Sequence, residues 1–395
     1  MVETYHPVLG GGEKYTRTLV LGLVSLGFRV DVVTRRSSDD LPALEIDGGV
    51  TIHRVGPPGE GRGKKFAMAW DAFRTAKSLA KDSDVVMNGG TRVLALPARL
   101  AISGTRCALA LRPELNGELD GSLVLWGRRD SRFQRALLFL LARMRNRLLR
   151  RTGAVVAISQ AIAREAVFGG FPAAKVHLIP HGIDTSEYAP VPAGEKAARR
   201  EALGLPKDRL LLTYSGRLIE GKGLETLFVA MRSLADVPNL HLALVGSGSG
   251  QIISIEDRLR RDAQTEGLAG RVTFTGRVDN VAAYLQASDL FVFPTFDEAL
   301  GMSAVEAQSC GLPAVASRTG GVPDIVEDGV TGFLVPPGES TPLAHGLRRL
   351  LTDPELRQRF AQAARERAER VFNRATSVSR YAELFRSLTV RRRTT

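Results

Sequence analysis

The sequence predicts an α/β protein made of two doubly wound, Rossmann-like domains. The chain has 395 residues, more than one hydrophobic core usually supports. Along two stretches, short β-branched runs alternate with helical patterns, and Gly or Pro turns separate them, as in parallel α/β layers. We therefore expect domains at residues 1–190 and 191–372, followed by a C-terminal helix at residues 373–395.

The second stretch has the clearer pattern and begins after the Pro-rich segment Tyr188–Gly194, where we expect a hinge. Strands in the second domain are predicted at Leu210–Tyr214, Leu240–Val245, Val272–Thr275, Asp289–Phe293 and Pro313–Ala316. Strands in the first domain are predicted at Arg29–Thr34, Asp84–Met87, Arg106–Leu111 and Ala154–Ile158.

The first domain lacks an expected element. Its first helix already includes Glu13, and the residues before Glu13 leave no room for a leading strand. In a doubly wound sheet that strand lies in the middle of the strand order, so its absence opens a gap in the core. A gap of about five residues forfeits on the order of 8 to 15 kcal/mol of apolar burial. We therefore expect Met1 to be a late start, which the upstream gene sequence would test.

The composition restricts the cellular compartment and the classes of binding partner that we expect for the protein. The two cysteines, Cys107 and Cys310, form no CxxC pair, so we expect reduced thiols and a cytoplasmic protein. The N-terminus does not resemble a signal peptide, and the longest apolar run, Ala136–Ala142, is too short to cross a bilayer. A net charge of +12 favours polyanionic partners.

Part of this positive charge is concentrated at residues 128–151, where arginines surround the apolar run LLFLLARM. The pattern predicts a basic amphipathic helix. One interpretation is an ordinary helix with its arginines in solvent. The other is peripheral binding to an anionic membrane surface.

The strongest chemical signal is PTFDEALGMSAVEAQSCGLPAVAS. Glu298 follows a predicted strand, a helix starts near Gly301, and Glu306 lies about one and a half turns into it. The amides of Gly301, Met302 and Ser303 would then lie at a helix N-terminus, where a phosphate is favoured. Two carboxylates flanking an anion-binding turn suit a sugar diphosphate, whereas an acidic cap with one solvated glutamate is the simpler alternative.

A second group supplies cations. In TYSGRLIEGKGLETL, Gly216 and Arg217 follow a strand, and Lys222 is predicted to begin the next helix. Both cations would emerge at the carboxyl ends of the strands, where open α/β sheets bind ligands. They could hold a diphosphate and neutralise the charge that develops as it leaves.

Two glycine-rich segments are weaker signals. Gly10, Gly11 and Gly12 precede a helix and allow a phosphate to approach the backbone closely. VGSGSG follows a strand but lacks the spacing and the acidic partner of a dinucleotide fingerprint, so we interpret it as a tight turn lining the crevice.

Taken together, GGGE, IPHGIDTSEY, SGRLIEGKG, VGSGSG and the EX7E stretch followed by CGLPAVASRTGGVPDIVEDGVTGFLV resemble a family 4 glycosyltransferase of the GT-B fold. The resemblance covers about residue 5 to the end. It implies a retaining, metal-independent transfer from a nucleotide-diphosphate sugar bound between the domains, without a cofactor. By resemblance, Arg217 and Lys222 hold the diphosphate, Glu306 binds the ribose hydroxyls and Glu298 the donated sugar. It also implies that the C-terminal helix crosses back to the first domain.

The sequence departs from that family in the first domain. Many members carry a histidine after the strand matched here by Arg106–Leu111, and this chain reads LRPELNGELDG instead. Glu114, Asn116 or Asp120 could contact sugar or acceptor in its place, or serve only as polar loop residues. For His181 we favour a role in a turn.

The sequence therefore predicts a retaining glycosyltransferase acting on a saccharide or lipid-linked acceptor in the assembly of cell-envelope polysaccharide or glycolipid, with no nucleic-acid partner. An inactive or truncated nucleotide-sugar-binding relic and a same-fold nucleotide-sugar epimerase remain alternatives. Backbone contacts around Gly276–Asn280 are where we expect the nucleotide base to be selected.

Overall fold

The computed structural model describes residues 1–7, 10–59, 62–122, 132–237, 239–265 and 268–393. The chain divides into two compact units. Unit 1 comprises Met1–Gly182 and Arg374–Thr395, and unit 2 comprises Ile183–Asn373. The first change of unit therefore falls eight residues before the boundary predicted at residue 190, and the C-terminal helix belongs to unit 1.

Long-range hydrogen bonds explain the position of that first boundary. The backbone N–H of Ile183 donates to the carbonyl of Phe372 at 2.8 Å. The hydroxyl of Ser309 donates to the carbonyl of Tyr188 at 2.6 Å, and the guanidinium of Arg365 donates to the same carbonyl at 2.9 Å. These bonds make the start of the predicted hinge segment an integral part of unit 2.

Unit 2 contains a parallel sheet with the strand order β10-β9-β8-β11-β12-β13. Counted within this unit, the order is 3-2-1-4-5-6, which is the doubly wound arrangement that the sequence predicts. Its strands are β8 (Leu210–Ser215), β9 (Leu240–Val245), β10 (Val272–Gly276), β11 (Leu290–Phe293), β12 (Ala314–Ser317) and β13 (Gly332–Val335).

Helices cover this sheet because its central strands are apolar on both faces; β9, for example, is buried along its whole length. The helices of unit 2 are α6 (Ala193–Ala202), α7 (Leu224–Arg232), α8 (Glu256–Asp262), α9 (Val281–Ala287), α10 (Met302–Ser309), α11 (Val322–Ile325), α12 (Ser340–Thr352) and α13 (Pro354–Val371).

The described part of unit 1 has two groups of strands, ordered β1-β3-β2 and β4-β5-β6-β7, and among these strands only β2 runs antiparallel to its neighbour. The strands are β1 (Val30–Arg35), β2 (Leu44–Asp47), β3 (Val50–Val55), β4 (Val85–Gly89), β5 (Ala108–Arg112), β6 (Ala154–Ala157) and β7 (Val176–Leu178). The helices are α1 (Gly11–Ser25), α2 (Arg62–Leu79), α3 (Ala95–Ala101), α4 (Arg132–Leu149), α5 (Gln160–Phe168) and α14 (Arg374–Arg393).

The two groups of strands meet at residues Met1–Glu3. The α-amino group of Met1 donates to the carbonyl of Met87 at 2.7 Å, and the N–H of Val2 donates to the carbonyl of Val33 at 3.0 Å. These residues therefore lie between β1 and β4, in the middle of the strand order. This is the place where the sequence analysis locates the gap left by a leading strand.

The burial of the Met1 amino group predicts a pH dependence of stability. Burial, and then the nearby charge of Arg112, lower its pKa from 8.0 to about 5. In a protein expressed from Met1, the unfolded chain holds a proton between those values that the folded chain lacks, so stability should fall as the pH is lowered from 8 to 5, by up to about 1.4 kcal/mol per pH unit. Urea unfolding at several pH values checks this. An N-terminally acetylated protein with the same pH dependence would contradict it.

Candidate functional site

The predicted cationic and acidic residues of unit 2 follow two adjacent strands at the centre of its sheet. Gly216–Lys222 follows β8, and Glu298 lies in the loop after β11. These strands are hydrogen-bonded neighbours and flank the point where the strand order reverses. In doubly wound sheets, ligands bind outside the carboxyl ends of the strands at this point.

Glycines allow these loops to approach one another at backbone distance. A Cβ on Gly223 would lie 1.9 Å from the carbonyl oxygen of Pro294, and a Cβ on Gly246 would lie 2.0 Å from that of Gly216. Gly223 also has a left-handed φ of 69° and caps α7. Lys222 therefore lies in the loop before α7, and the prediction that it begins the helix is wrong by two residues.

The loop geometry brings Lys222 and Glu298 together. Their Nζ and Oε2 atoms lie 2.6 Å apart, and both side chains are largely shielded from solvent. Tyr214 lies beneath them, is fully buried, and donates its hydroxyl to the carbonyl of Arg217 at 3.0 Å. Burial, and then the charge of Glu298, raise the pKa of Tyr214 well above its usual value, whereas Arg217 opposes the rise.

The helix α10 presents one open face at its N-terminus. Its cap, Gly301, adopts a left-handed φ of 106°. Most other residues of this helix are buried, whereas Met302, Ser303 and Glu306 are partly exposed. These three share one face by helical spacing. A carboxylate one turn from orphan amides can bind hydroxyls next to a phosphate held by the helix N-terminus.

Glu306 is held from the other side by a tyrosine. The hydroxyl of Tyr188 hydrogen-bonds to the carboxylate of Glu306. Burial, and then this carboxylate, raise the pKa of Tyr188 well above its usual value, and the same two causes raise that of the Cys310 thiol to about 12. Cys310 is therefore a protonated packing residue at neutral pH.

The VGSGSG segment forms a turn whose donors are already engaged. The carboxylate of Glu256 accepts from the hydroxyl of Ser247 and from the N–H of Gly248, both at 2.7 Å. Partial burial favours the protonated acid, but these bonds and Arg260 outweigh it and lower the pKa of Glu256. A tight turn was predicted here. The carboxylate of Glu256 accepts the hydrogen bonds that the turn could otherwise donate to a bound anion.

In unit 1, the predicted glycine-rich turn begins α1, with Gly10 as its N-cap. The side chain of Glu13 folds back over this residue, so that a Cβ on Gly10 would lie 2.3 Å from its carboxylate. The hydroxyl of Thr4 donates to the other carboxylate oxygen of Glu13 at 2.5 Å. A carboxylate therefore lies against the backbone where Gly10, Gly11 and Gly12 were expected to receive a phosphate.

A buried polar cluster occupies the carboxyl end of β5 in the same unit. Arg112 is inaccessible to solvent and pairs with Glu114 at 2.6 Å. The ring of His181 stacks on Tyr15 with centroids 3.7 Å apart, and its Nε2 lies 3.7 Å from Glu114. Burial, and then Arg112, hold the pKa of His181 well below its usual value, so the ring is neutral. His181 is therefore a buried, neutral ring packed within this cluster.

The other two candidates of that loop differ in setting. Asp120 accepts the N–H of Ser122 at 2.8 Å, which is a turn interaction. Asn116 belongs to the same loop and follows Glu114 by two residues. The N–H of the next residue, Gly117, donates to the carboxylate of Glu165 at 2.8 Å. Within the described ranges, no group of three or more metal-ligating side chains comes together.

Comparison with known proteins assigns the chain to a family. The family description "Glycosyl transferases group 1" matches residues 195–367, and "Glycosyl transferase 4-like domain" matches residues 10–182. The chain belongs to the group 1 glycosyltransferases. The first match covers the β8 and β11 loops together with α10, and the second begins at Gly10.

Two solved structures share the fold over nearly their whole length. A sucrose-phosphate synthase from Thermosynechococcus elongatus superposes with a TM-score of 0.82 at 26% identity, covering 98% of this chain and 95% of that one. HepE of Anabaena, solved in complex with UDP-glucose, superposes with a TM-score of 0.75 at 22% identity, covering 98% of each chain. These likenesses establish the GT-B type of fold for this chain.

Curated relatives match a shorter region. A D-inositol 3-phosphate glycosyltransferase of Mycobacterium leprae (strain Br4923) is 38% identical over 164 residues, which cover 41% of this chain and 37% of the relative. The corresponding protein of Mycobacterium tuberculosis (strain ATCC 25177 / H37Ra) is 34% identical over 204 residues, covering 50% and 41%. The alignments thus span about two fifths of the length of these relatives.

The sequence analysis missed residues that support the site from below or behind. Tyr188 lies within the IPHGIDTSEY motif, but nothing in its spacing points to Glu306, which is far along the chain. Tyr214 reads as an ordinary strand residue. Glu256 follows the VGSGSG turn closely enough that a search for an acidic residue returning to the turn would have found it.

Proposed function

We propose that the protein transfers a sugar from a nucleotide-diphosphate sugar to a saccharide or lipid-linked acceptor, with retained anomeric configuration and without a metal ion. The observation that carries the proposal is the Lys222–Glu298 pair at 2.6 Å, which lies at the switch point of the unit 2 sheet. Arg217 lies in the same loop as Lys222, and the open N-terminus of α10 follows Glu298. Cations, amides and carboxylates are the groups that a sugar diphosphate needs.

The proposed reaction uses the leaving diphosphate as its own counter-charge. The bond between the sugar C1 and the β-phosphate oxygen breaks, and a bond from the acceptor oxygen to C1 forms on the same face. The acceptor proton passes to the departing phosphate oxygen. Lys222 and Arg217 stabilise the negative charge that develops on the diphosphate. The diphosphate takes the place of Glu298 as the partner of Lys222. Glu298 then accepts hydrogen bonds from hydroxyls of the donated sugar, and Glu306 accepts hydrogen bonds from those of the ribose.

A panel of nucleotide sugars tests this function. Each donor is incubated with the protein, and release of nucleotide is measured with and without a chelator. UDP-glucose comes first because a structural neighbour is solved with it, and inositol phosphate joins the acceptors because curated relatives are named for it. We expect acceptor-dependent release that persists with the chelator. Binding without release would favour the relic, and isomerised donor without release would favour the epimerase.

The surface of α4 supports a membrane-linked acceptor. Five large apolar side chains are between 45% and 63% exposed. Their spacing places them on one face of the helix. Phe168 of α5 extends this face, since it contacts Phe139 with ring centroids 5.6 Å apart and is itself 62% exposed. The five side chains are those of Leu137, Leu140, Leu141, Met144 and Leu148.

Exposed arginines border this apolar face, including Arg143, Arg147 and Arg150. The interpretation as an ordinary amphipathic helix requires the apolar face to be buried, and here it is open. An apolar face of this size bordered by cations suits an anionic lipid surface. The segment 128–131 of the predicted basic helix lies outside the described residues. Among the helices described, none is long and apolar enough to cross a bilayer.

We expect the protein to sediment with anionic liposomes more strongly than with neutral ones. Leu141→Glu should reduce this binding by roughly tenfold or more, because it places a charge in the apolar face. Ile252→Glu, at a fully exposed apolar residue of unit 2, is the matched control and should bind like the wild type. Equal sedimentation of all three proteins with both kinds of liposome would remove the membrane from the proposal.

A further inference from the structure

Residues 113–121 form the loop that follows β5, a strand of unit 1 that is buried along its whole length. We call these residues the β5 loop. In open α/β sheets, ligands bind outside the carboxyl ends of the strands, and the β5 loop starts at such an end. Glu114, Asn116 and Asp120 are partly exposed there. The β5 loop therefore offers polar side chains to a ligand.

One carboxylate of α5 accepts three backbone N–H groups of the β5 loop. Oε2 of Glu165 accepts from the N–H of Gly117 at 2.8 Å. Its Oε1 accepts from the N–H of Leu119 at 2.6 Å and from that of Asp120 at 3.3 Å. An ionised carboxylate accepts on both oxygens, whereas an amide accepts on one oxygen and a protonated acid turns one oxygen into a donor. The ionised form of Glu165 therefore matches this set of donors.

The carbonyl groups of the same loop are bound by α4. Nη2 of Arg145 donates to the carbonyl of Glu118 at 2.5 Å. Nδ2 of Asn146, a fully buried side chain, donates to the carbonyl of Leu119 at 2.6 Å. The backbone of the β5 loop is therefore held by two helices, since α5 accepts from its N–H groups and α4 donates to its carbonyl groups.

The charge of Glu165 responds to pH near neutrality. Burial raises the pKa of Glu165 to about 7; the hydrogen bonds from the loop oppose the rise, and the charge of Asp120 adds to it. From α4, Arg145 faces the same network: burial lowers its pKa, whereas Glu118 and then Glu165 oppose that change. The number of acceptors that Glu165 presents to the β5 loop therefore changes close to pH 7.

We propose, on the basis of the function proposed above, that Glu165 is a positioning residue for sugar transfer: its carboxylate holds the β5 loop in the shape in which the acceptor binds. A proton or an amide group on this side chain replaces an acceptor by a donor, and on the Oε2 side that donor faces the N–H of Gly117. Gly117 has a left-handed φ of 80° and directly follows Asn116. A change at this peptide therefore moves the side chains that the loop offers, whereas donor binding is assigned to unit 2.

Glu165→Gln tests the proposal because it keeps the size of the side chain and removes its charge. The probes are UDP-glucose and inositol phosphate, or the pair of the donor and acceptor panel that releases nucleotide fastest. We expect the acceptor KM at about pH 8 to rise roughly tenfold, since a charged hydrogen bond to the loop is lost, while the donor KM stays unchanged.

Two control variants keep Glu165 intact. Arg164→Gln removes a charge at the neighbouring, exposed position of α5. Ile52→Val removes a methylene group from a fully buried position of β3 and lowers the stability of unit 1. Both should keep the acceptor KM of the wild type. A similar rise of the acceptor KM in Ile52→Val would overturn the proposal, because general destabilisation of unit 1 would then be the cause.

The pH dependence separates positioning from folding. As the pH falls through about 7, the acceptor KM of the wild type should rise toward that of Glu165→Gln. Stability should change in the opposite direction. Between about 7 and 4.5 the folded chain holds a proton on Glu165 that the unfolded chain lacks, so the Tm of the wild type relative to Glu165→Gln should rise as the pH falls. An acceptor KM of the wild type that is as independent of pH as that of the variant would overturn the proposal.

Amide exchange tests the hold on the loop without any transfer reaction. Glu165→Gln should speed exchange in residues 113–121 and leave β8 and β11 of unit 2 unchanged. Unchanged exchange in the β5 loop would overturn the proposal. If the wild type shows no acceptor-dependent release of nucleotide, the proposed function fails and the role of Glu165 in transfer fails with it, whereas its hold on the loop is still decided by the exchange rates.

Discussion

Replacement of Lys222 by alanine should lower kcat by about 10²- to 10³-fold, equivalent to roughly 2.7 to 4 kcal/mol of transition-state stabilisation. The reason is electrostatic. Lys222 lies in a shielded loop at the carboxyl end of β8, where a cation acts more strongly than in bulk water. Steady-state kinetics with the donor identified by the panel measure the effect, and a urea unfolding curve shows whether the variant is folded.

A matched lysine in the same unit separates a local effect from a change in net charge. Lys207 pairs with Glu201 at 2.6 Å on the exposed surface, and Lys207→Ala should leave kcat unchanged because exposed pairs contribute little. Lys222→Arg keeps the charge and should restore part of the activity. An unchanged turnover in Lys222→Ala would refute the role assigned to this residue.

The second large effect is expected from Gly223→Ala. A methyl group here meets the carbonyl oxygen of Pro294 at 1.9 Å, and the backbone has a φ of 69°. The loop carrying Lys222 would have to move away from the loop carrying Glu298. We expect unit 2 to lose roughly 2 to 5 kcal/mol of stability and the enzyme to lose about 10²-fold in kcat. Urea unfolding and steady-state kinetics measure the two effects.

Gly270→Ala is the control for backbone strain alone. Gly270 has a φ of 68°, and a Cβ there meets nothing within 4 Å. This variant should cost only about 1 to 2 kcal/mol and leave kcat intact. If the two alanine variants behaved alike, close approach of the β8 and β11 loops would not be what positions the site.

Local patterns were sufficient to predict five of the six described strands of unit 2, and β13 was missed. Its central strands are continuous apolar runs, and the predicted Leu240–Val245 agrees with β9 residue for residue. Strands β2, β3 and β7 of unit 1 were not predicted, because β2 and β3 alternate polar with apolar residues in short segments and β7 has only three residues. The unit boundary was misplaced because it depends on bonds such as that from Ser309 to Tyr188, 121 positions apart.

The site was predictable to the level of loops but not of contacts. Residues that follow parallel strands emerge at one edge of a sheet, and Arg217, Lys222 and Glu298 do lie in the loops after β8 and β11. The 2.6 Å pair between Lys222 and Glu298 depends on the close approach at Gly223, which requires the strand order and not only the strands. The contact of Glu306 with Tyr188 was not predictable either, because Tyr188 belongs to a segment outside the sheet.

A crystal structure of the protein with a bound nucleoside diphosphate tests the central claim most directly. The account predicts phosphate oxygens within about 2.7 to 3.2 Å of the Lys222 Nζ and of the amides of Met302 and Ser303, with the ribose hydroxyls on Glu306. A diphosphate bound elsewhere in unit 2, or at Gly10–Gly12 of unit 1 with Lys222 still paired to Glu298, would contradict it.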